Sequence, residues 1–88
     1  MRIIAKRTLR EFWTNYPDAK EPLEAWHQEA LRANCPNPHA IKTQYRSASI
    51  VQGGRVVFNI AGNKYRLVVK INYRREIVYI RFMGTHRQ

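Results

Sequence analysis

Acidic side chains are scarce in this 88-residue chain: six Asp and Glu stand against sixteen Lys and Arg. Beyond residue 44 the only acid is Glu76, so a carboxylate pair for acid–base work is excluded from that half. Cysteine is nearly absent as well. Cys35 alone cannot close an internal disulfide, which fits a reducing cytoplasm. With four glycines there is no glycine-rich phosphate loop, and Gly53-Gly54 reads as a hairpin turn. The longest apolar run, Ile77 to Ile80, is far short of the ~20 residues that span a bilayer, so no membrane role is expected. Met1 to Lys6 holds no apolar stretch of the secretory kind. His27, His39, His86 and Cys35 show no metal-ligand spacing, so neither a metal nor a cofactor is expected. Repeats, linkers and low-complexity tracts are also lacking, and the length suits a single domain spanning 1–88.

What the chain has in plenty is positive charge, a formal net of +10. It is unevenly placed. Residues 1–44 hold seven bases and five acids, a net of +2; residues 45–88 hold nine bases and one acid, a net of +8. A merely solvated surface mixes its signs. This half therefore points to a polyanionic partner: nucleic acid, an anionic membrane or an acidic protein segment. Eleven of the sixteen bases are arginine, whose planar fork matches phosphate oxygens.

The patterning predicts an α+β fold. Residues 2–5 read as a short strand. Thr8 with Glu11 has the spacing of a capping box, and Leu9, Phe12, Trp13 and Tyr16 fall on one helical face. Pro17 ends that helix. Asp18 with Glu21 suggests a second capping box. The next helix carries Leu23, Trp26, Ala30 and Leu31 inward and stops by Asn34, before two prolines. A third short helix is expected from His39 to about Tyr45. From Ile50 the period drops to two. Strands are expected over Arg55–Ile60, Tyr65–Tyr73 and Ile77–Met83, joined by tight turns. The expected architecture is a small antiparallel sheet packed against an N-terminal helical hairpin.

Alternation assigns the faces. Val56, Phe58, Ile60, Tyr65, Leu67, Val69, Ile71, Val78, Ile80 and Phe82 belong to the core. The opposite face collects Arg55, Asn59, Arg66, Lys70, Tyr79 and Arg81, with Met83 also outward. A rigid cationic surface with an aromatic in it can hold phosphates and stack a base. The plain alternative is a solvated polar face, which any half-buried sheet presents. The near exclusion of Asp and Glu weighs against it.

His86 follows Gly84-Thr85 at the end of the last expected strand. An imidazole with a pKa near ~6.5 gives or takes a proton around neutrality. Beside arginines it suits RNA cleavage. That reaction needs a base for the 2′-hydroxyl, a cation for the phosphorane and an acid for the leaving 5′-oxygen. A histidine near a chain end is otherwise unremarkable. His27, beside the inner stripe of its helix, reads as packing.

Two stretches carry a resemblance. Phe58-Asn59-Ile60-Ala61-Gly62-Asn63-Lys64-Tyr65-Arg66-Leu67, followed by Gly84-Thr85-His86, resembles the HigB-type toxins of the RelE superfamily. The opening Met1 to Trp13 is similar to their start. The resemblance implies a type II toxin, an mRNA endonuclease that cuts messages, usually on the ribosome; the acid–base chemistry above lets it work without a metal. It implies restraint by a HigA-like helix-turn-helix antitoxin. It gives Arg66 the phosphate-stabilising role and His86 a catalytic one; Arg81, basic and outward on the last strand, is expected to hold the scissile phosphate with Arg66. Asn59 and Lys64 join Arg55, Lys70 and Tyr79 as RNA-binding residues. RelE-type nucleases carry lysines on the strand before that arginine, where this chain has Val57 and Asn59. The base then falls to His86 or Lys64. Family members usually run on past Thr-His with a segment containing Tyr-Asp; this sequence ends at Gln88. Two rival readings of the basic half are a nucleic-acid-binding module without catalysis and a domain that docks an acidic protein.

Overall fold

The computed structural model describes residues 1–85. In chain order it has β1 (Arg2–Ile4), α1 (Lys6–Asn15), a 3₁₀ turn (Pro17–Ala19), α2 (Lys20–Arg32) and α3 (Pro38–Gln44). Then come β2 (Ser49–Val51), β3 (Arg55–Ile60), β4 (Tyr65–Asn72) and β5 (Ile77–Thr85). The strands form one sheet in the order β1-β5-β4-β3-β2. The α+β layering is as expected, with two additions at the sheet's margins. β2 joins β3 through the Gly53-Gly54 turn, both glycines at positive φ. At the other edge β1 runs parallel to β5, where alternation over three residues could not announce its direction.

The core lies between the sheet and the helices. Leu9, Leu23, Ile41, Val56, Leu67, Val69 and Val78 are fully buried, and each such aliphatic stabilises the fold by about 1.5–3 kcal/mol. Phe58 sits at the centre of an aromatic group, 5.4 Å from Trp26 and 4.9 Å from Tyr45 between ring centroids. Burial there pushes the Tyr45 hydroxyl up to about 12. On α2 the buried stripe is Leu23, Trp26, His27 and Ala30, while Leu31 is 45% exposed. The inward spacing thus runs through His27 rather than Leu31. The ammonium of Met1 donates to the carbonyls of Ala30, Leu31 and Ala33 at 2.9, 2.9 and 3.0 Å, a cation on the C-terminal end of α2.

Neither expected capping box forms. α1 starts at Lys6, ahead of Thr8, and Glu11 pairs with Arg7 at 3.0 Å one turn back. Asp18 lies inside the 3₁₀ turn, where its carboxylate reaches across to β4 instead of capping α2. Pro17 does end α1, and Pro38 opens α3 behind Asn37. The Asn37 side chain accepts from the Ala40 amide at 2.9 Å.

Candidate nucleic-acid interface

The three central strands set the outer face in rows. Hydrogen-bond register places Asn59, Arg66 and Gly84 side by side at one end of the sheet. Val57, Val68 and Phe82 form the middle row. Arg55, Lys70 and Tyr79 form the row at the far end. Four residue steps along β4 separate Arg66 from Lys70, about 13 Å at 3.3 Å per step. The face therefore has two cationic ends and an apolar middle.

Between Val68 and Val69 the pairing with β5 shifts: Val68 opposes Phe82 and Val69 opposes Ile80. Arg81 is the extra residue of this β-bulge. A bulge reverses the alternation of everything beyond it. Phe82, expected in the core, turns outward and is 41% exposed. Met83, expected outside, packs against the core. Arg81 stays outward, beside Phe82. It borders one cleft of about 540 Å³ with Arg55, Val68, Lys70 and Phe82. It borders a second of about 400 Å³ with Lys70, Asn72, Tyr73 and Tyr79. Arg55, Lys70, Tyr79 and Arg81 are thus brought together. Arg66 stands apart from them, about three residue steps along β5 from Arg81.

Some of the expected contacts are engaged within the fold. The Asn59 amide donates to the Ser47 carbonyl at 3.3 Å, and Arg55 Nε donates to the Gln52 carbonyl at 3.4 Å. Lys64 is not on the outer face with the arginines. Its ammonium is paired with the Asp18 carboxylate, which also accepts the Tyr65 hydroxyl, and it lies 5.6 Å from the centroid of the Tyr65 ring. The Lys64 ammonium, then the Tyr65 hydroxyl, hold Asp18 below the usual carboxylate range. Asp18 in turn raises Lys64 and Tyr65 above their ordinary values. An amine so held keeps its proton, which is unsuited to the base role weighed for it. Asp18 is the residue sequence reasoning missed. It stands 46 positions from Lys64, and its place beside Pro17 imitates a helix cap. His86 lies outside the described residues.

Chemically, the outer face can do two things. Its arginines and lysine can bind phosphates along a strand, and the outward Phe82 and Tyr79 offer surfaces for bases. Arg66 is half-buried opposite Gly84, one pair in from the end of the β4–β5 ladder.

Comparison with known proteins identifies the family. A family model described as HigB_toxin, the RelE-like toxic component of a toxin-antitoxin system, matches residues 19–88. The chain is 26% identical over 90 aligned positions to the mRNA interferase toxin HigB of Escherichia coli (strain K12), covering all of this chain and 86% of that protein. The mRNA interferase HigB of Escherichia coli O157:H7 and that of Shigella flexneri match to the same extent. No helix among the described residues is long and apolar enough to cross a membrane. Matched by that model over well more than half its length, the chain belongs to the HigB family of RelE-like toxins, the toxic components of toxin-antitoxin systems.

Proposed function

We propose that this protein is an endoribonuclease that cuts mRNA on the ribosome without a metal ion and is held in check by a HigA-like helix-turn-helix antitoxin. The observation that carries the reading is the outer face itself. Its projecting charges are cations, set on rigid strands, and the Arg66–Gly84 row stands where the family motif ends. Relatives named as mRNA interferases support the substrate.

In this reading the scissile phosphate lies at Arg66, whose guanidinium offsets the extra charge of the phosphorane. Arg81 reaches the same phosphate from the bulge, over Val68; two extended arginines span the roughly 10 Å between their strand positions. Arg55, Lys70 and Tyr79 hold the flanking strand at the far end of the face. Asn59 steadies Arg66's row from β3, and Lys64 adds positive charge at the rim. His86, one residue beyond Thr85, transfers the proton. Lys64, fixed as an ammonium by Asp18, is an RNA contact rather than a base.

The experiment compares one mRNA as purified RNA and in a translating extract. Scission confined to translated message is expected, and it is suppressed when a cognate HigA-like helix-turn-helix antitoxin is added. Tight RNA binding with no scission in either setting would leave a binding module in place of the nuclease.

A further inference from the structure

A third cleft lies at the end of the sheet, around the edge from Arg66. It has a volume of about 560 Å³ and a mostly apolar lining, with Tyr16, Pro17, Asp18, Lys64, Tyr65 and Thr85 around it. Tyr65 is the strand partner of Thr85 at the end of the ladder, and the next pair along it is Arg66 with Gly84. The cleft and the phosphate row are therefore consecutive rungs of one ladder, on opposite faces. A strand of RNA with a phosphate at Arg66 can fold its neighbouring base around the sheet's end.

The walls suit a base. Phe12 stacks on one face of Tyr16 at 4.6 Å, and Tyr65 meets Tyr16 edge-on at 5.6 Å. Tyr16 is thus backed and fixed, as a stacking platform should be. The rim suits one base in particular. Asp18 presents acceptors only, and a carboxylate has about four lone-pair sites. One partner on each oxygen, Tyr65 and Lys64, leaves sites to spare. Its side chain is 49% exposed and that of Lys64 61%, so both remain reachable. Guanine alone presents two adjacent donors, N1–H and N2–H, next to an acceptor, O6. The two donors match the carboxylate and O6 matches the ammonium. Adenine and cytosine offer a single amino group beside a ring acceptor. Uracil sets its one N–H between two carbonyls, which a carboxylate repels.

We propose that this cleft is a guanine subsite: the base rests against Tyr16, its N1–H and N2–H donate to Asp18, and its O6 accepts from Lys64. The proposal rests on the nuclease reading above and adds to it the identity of a nucleotide next to the cut.

The test uses fluorescent uridine-rich RNA heptamers with one central guanosine, inosine or adenosine, carrying 2′-O-methyl groups so that they are not cut. Inosine lacks only the N2 amino group. The full chain is expected to bind the guanosine heptamer about tenfold more tightly than the inosine one. In Asp18→Asn, which keeps an acceptor for Tyr65 but turns a donor toward the base, the two heptamers should bind within twofold of each other. Equal affinity in the unaltered protein, with mRNA still cut, would overturn the subsite and leave the nuclease standing. Discrimination that persists in Asp18→Asn would also overturn it. No heptamer binding and no scission would overturn both. Because the guanosine–inosine comparison needs no variant, a poorly folded Asp18→Asn does not spoil the test.

Discussion

Arg66 and Lys70 project from the same face of β4, yet across the sheet Arg66 meets Gly84 and Lys70 meets Tyr79. About 13 Å of strand lies between them, with Val68 midway. The two cations therefore serve different parts of a bound strand, and their removal should have different signatures.

Lys70→Ala and Arg55→Ala should weaken RNA binding and flatten its salt dependence. Each lost phosphate contact on a single strand lowers the slope of log affinity against log salt by about 0.7. Titrations between low and physiological salt read the slope directly. A slope unchanged in both variants would remove these residues from the interface.

The bulge at Arg81 predicts opposite outcomes for adjacent residues. Phe82→Ala should change stability by less than about 1 kcal/mol, because the ring is already 41% exposed, and should weaken RNA binding by the loss of a stacking surface. Met83→Ala, on the core side, should cost about 1–2 kcal/mol in urea unfolding and leave binding alone. The reverse pattern would mean that strict alternation holds through β5.

That bulge shows where the sequence stops being readable. The alternation of Arg55–Ile60 and Tyr65–Ile71 is strict, so the buried and outward sets of β3 and β4 follow from parity alone. In β5 one extra residue inverts the parity, and nothing local to Ile80-Arg81-Phe82 marks it. The lost capping boxes are a related case. Thr8 and Asp18 have the right chemistry for caps, but the chain enters α1 earlier, and Asp18 finds stronger partners in Lys64 and Tyr65. Pairings over such separations, like the parallel meeting of β1 with β5, are decided by packing and not by neighbours in sequence. At the candidate site, the cationic face was legible from period and charge, whereas its division into two ends depends on register. The anchoring of Lys64 depends on a residue from the helical layer.

The turn before β3 should be sensitive to a single methyl group. Gly54 has φ +76°, its carbonyl accepts from the Ile71 amide at 2.8 Å, and a Cβ there would lie 3.2 Å from the Ile71 carbonyl. Gly53 has φ +77° but open space around it. Gly53→Ala should therefore cost only the left-handed strain, about 1–2 kcal/mol, and Gly54→Ala more than that. Denaturant midpoints of the two variants make the comparison.

Acid should destabilise the fold in two stages. Burial, helped by the charge of Lys6, holds His27 below its ordinary 6.5, so the folded chain keeps it neutral. As pH falls through 6.5 the unfolded chain takes up that proton first. Stability then declines until the lower folded value is passed. Asp18 is also depressed, so its contribution is present above 3.8 and is lost as pH drops from there through its folded value. Melting temperatures from pH 8 downward should show the first decline near 6.5, and His27→Gln should abolish that stage while sparing the second.

The central claim is that Arg66 stabilises the charge that builds on a phosphate as RNA is cut. The most direct measurement is the single-turnover rate of scission of a translated message by the unaltered protein, Arg66→Ala and His86→Ala, each checked for folding by circular dichroism. Losses of about 2–4 kcal/mol of transition-state stabilisation, roughly 30- to 1,000-fold in rate, with RNA affinity changed far less, are predicted for both variants. Scission at the normal rate by folded Arg66→Ala would contradict the account.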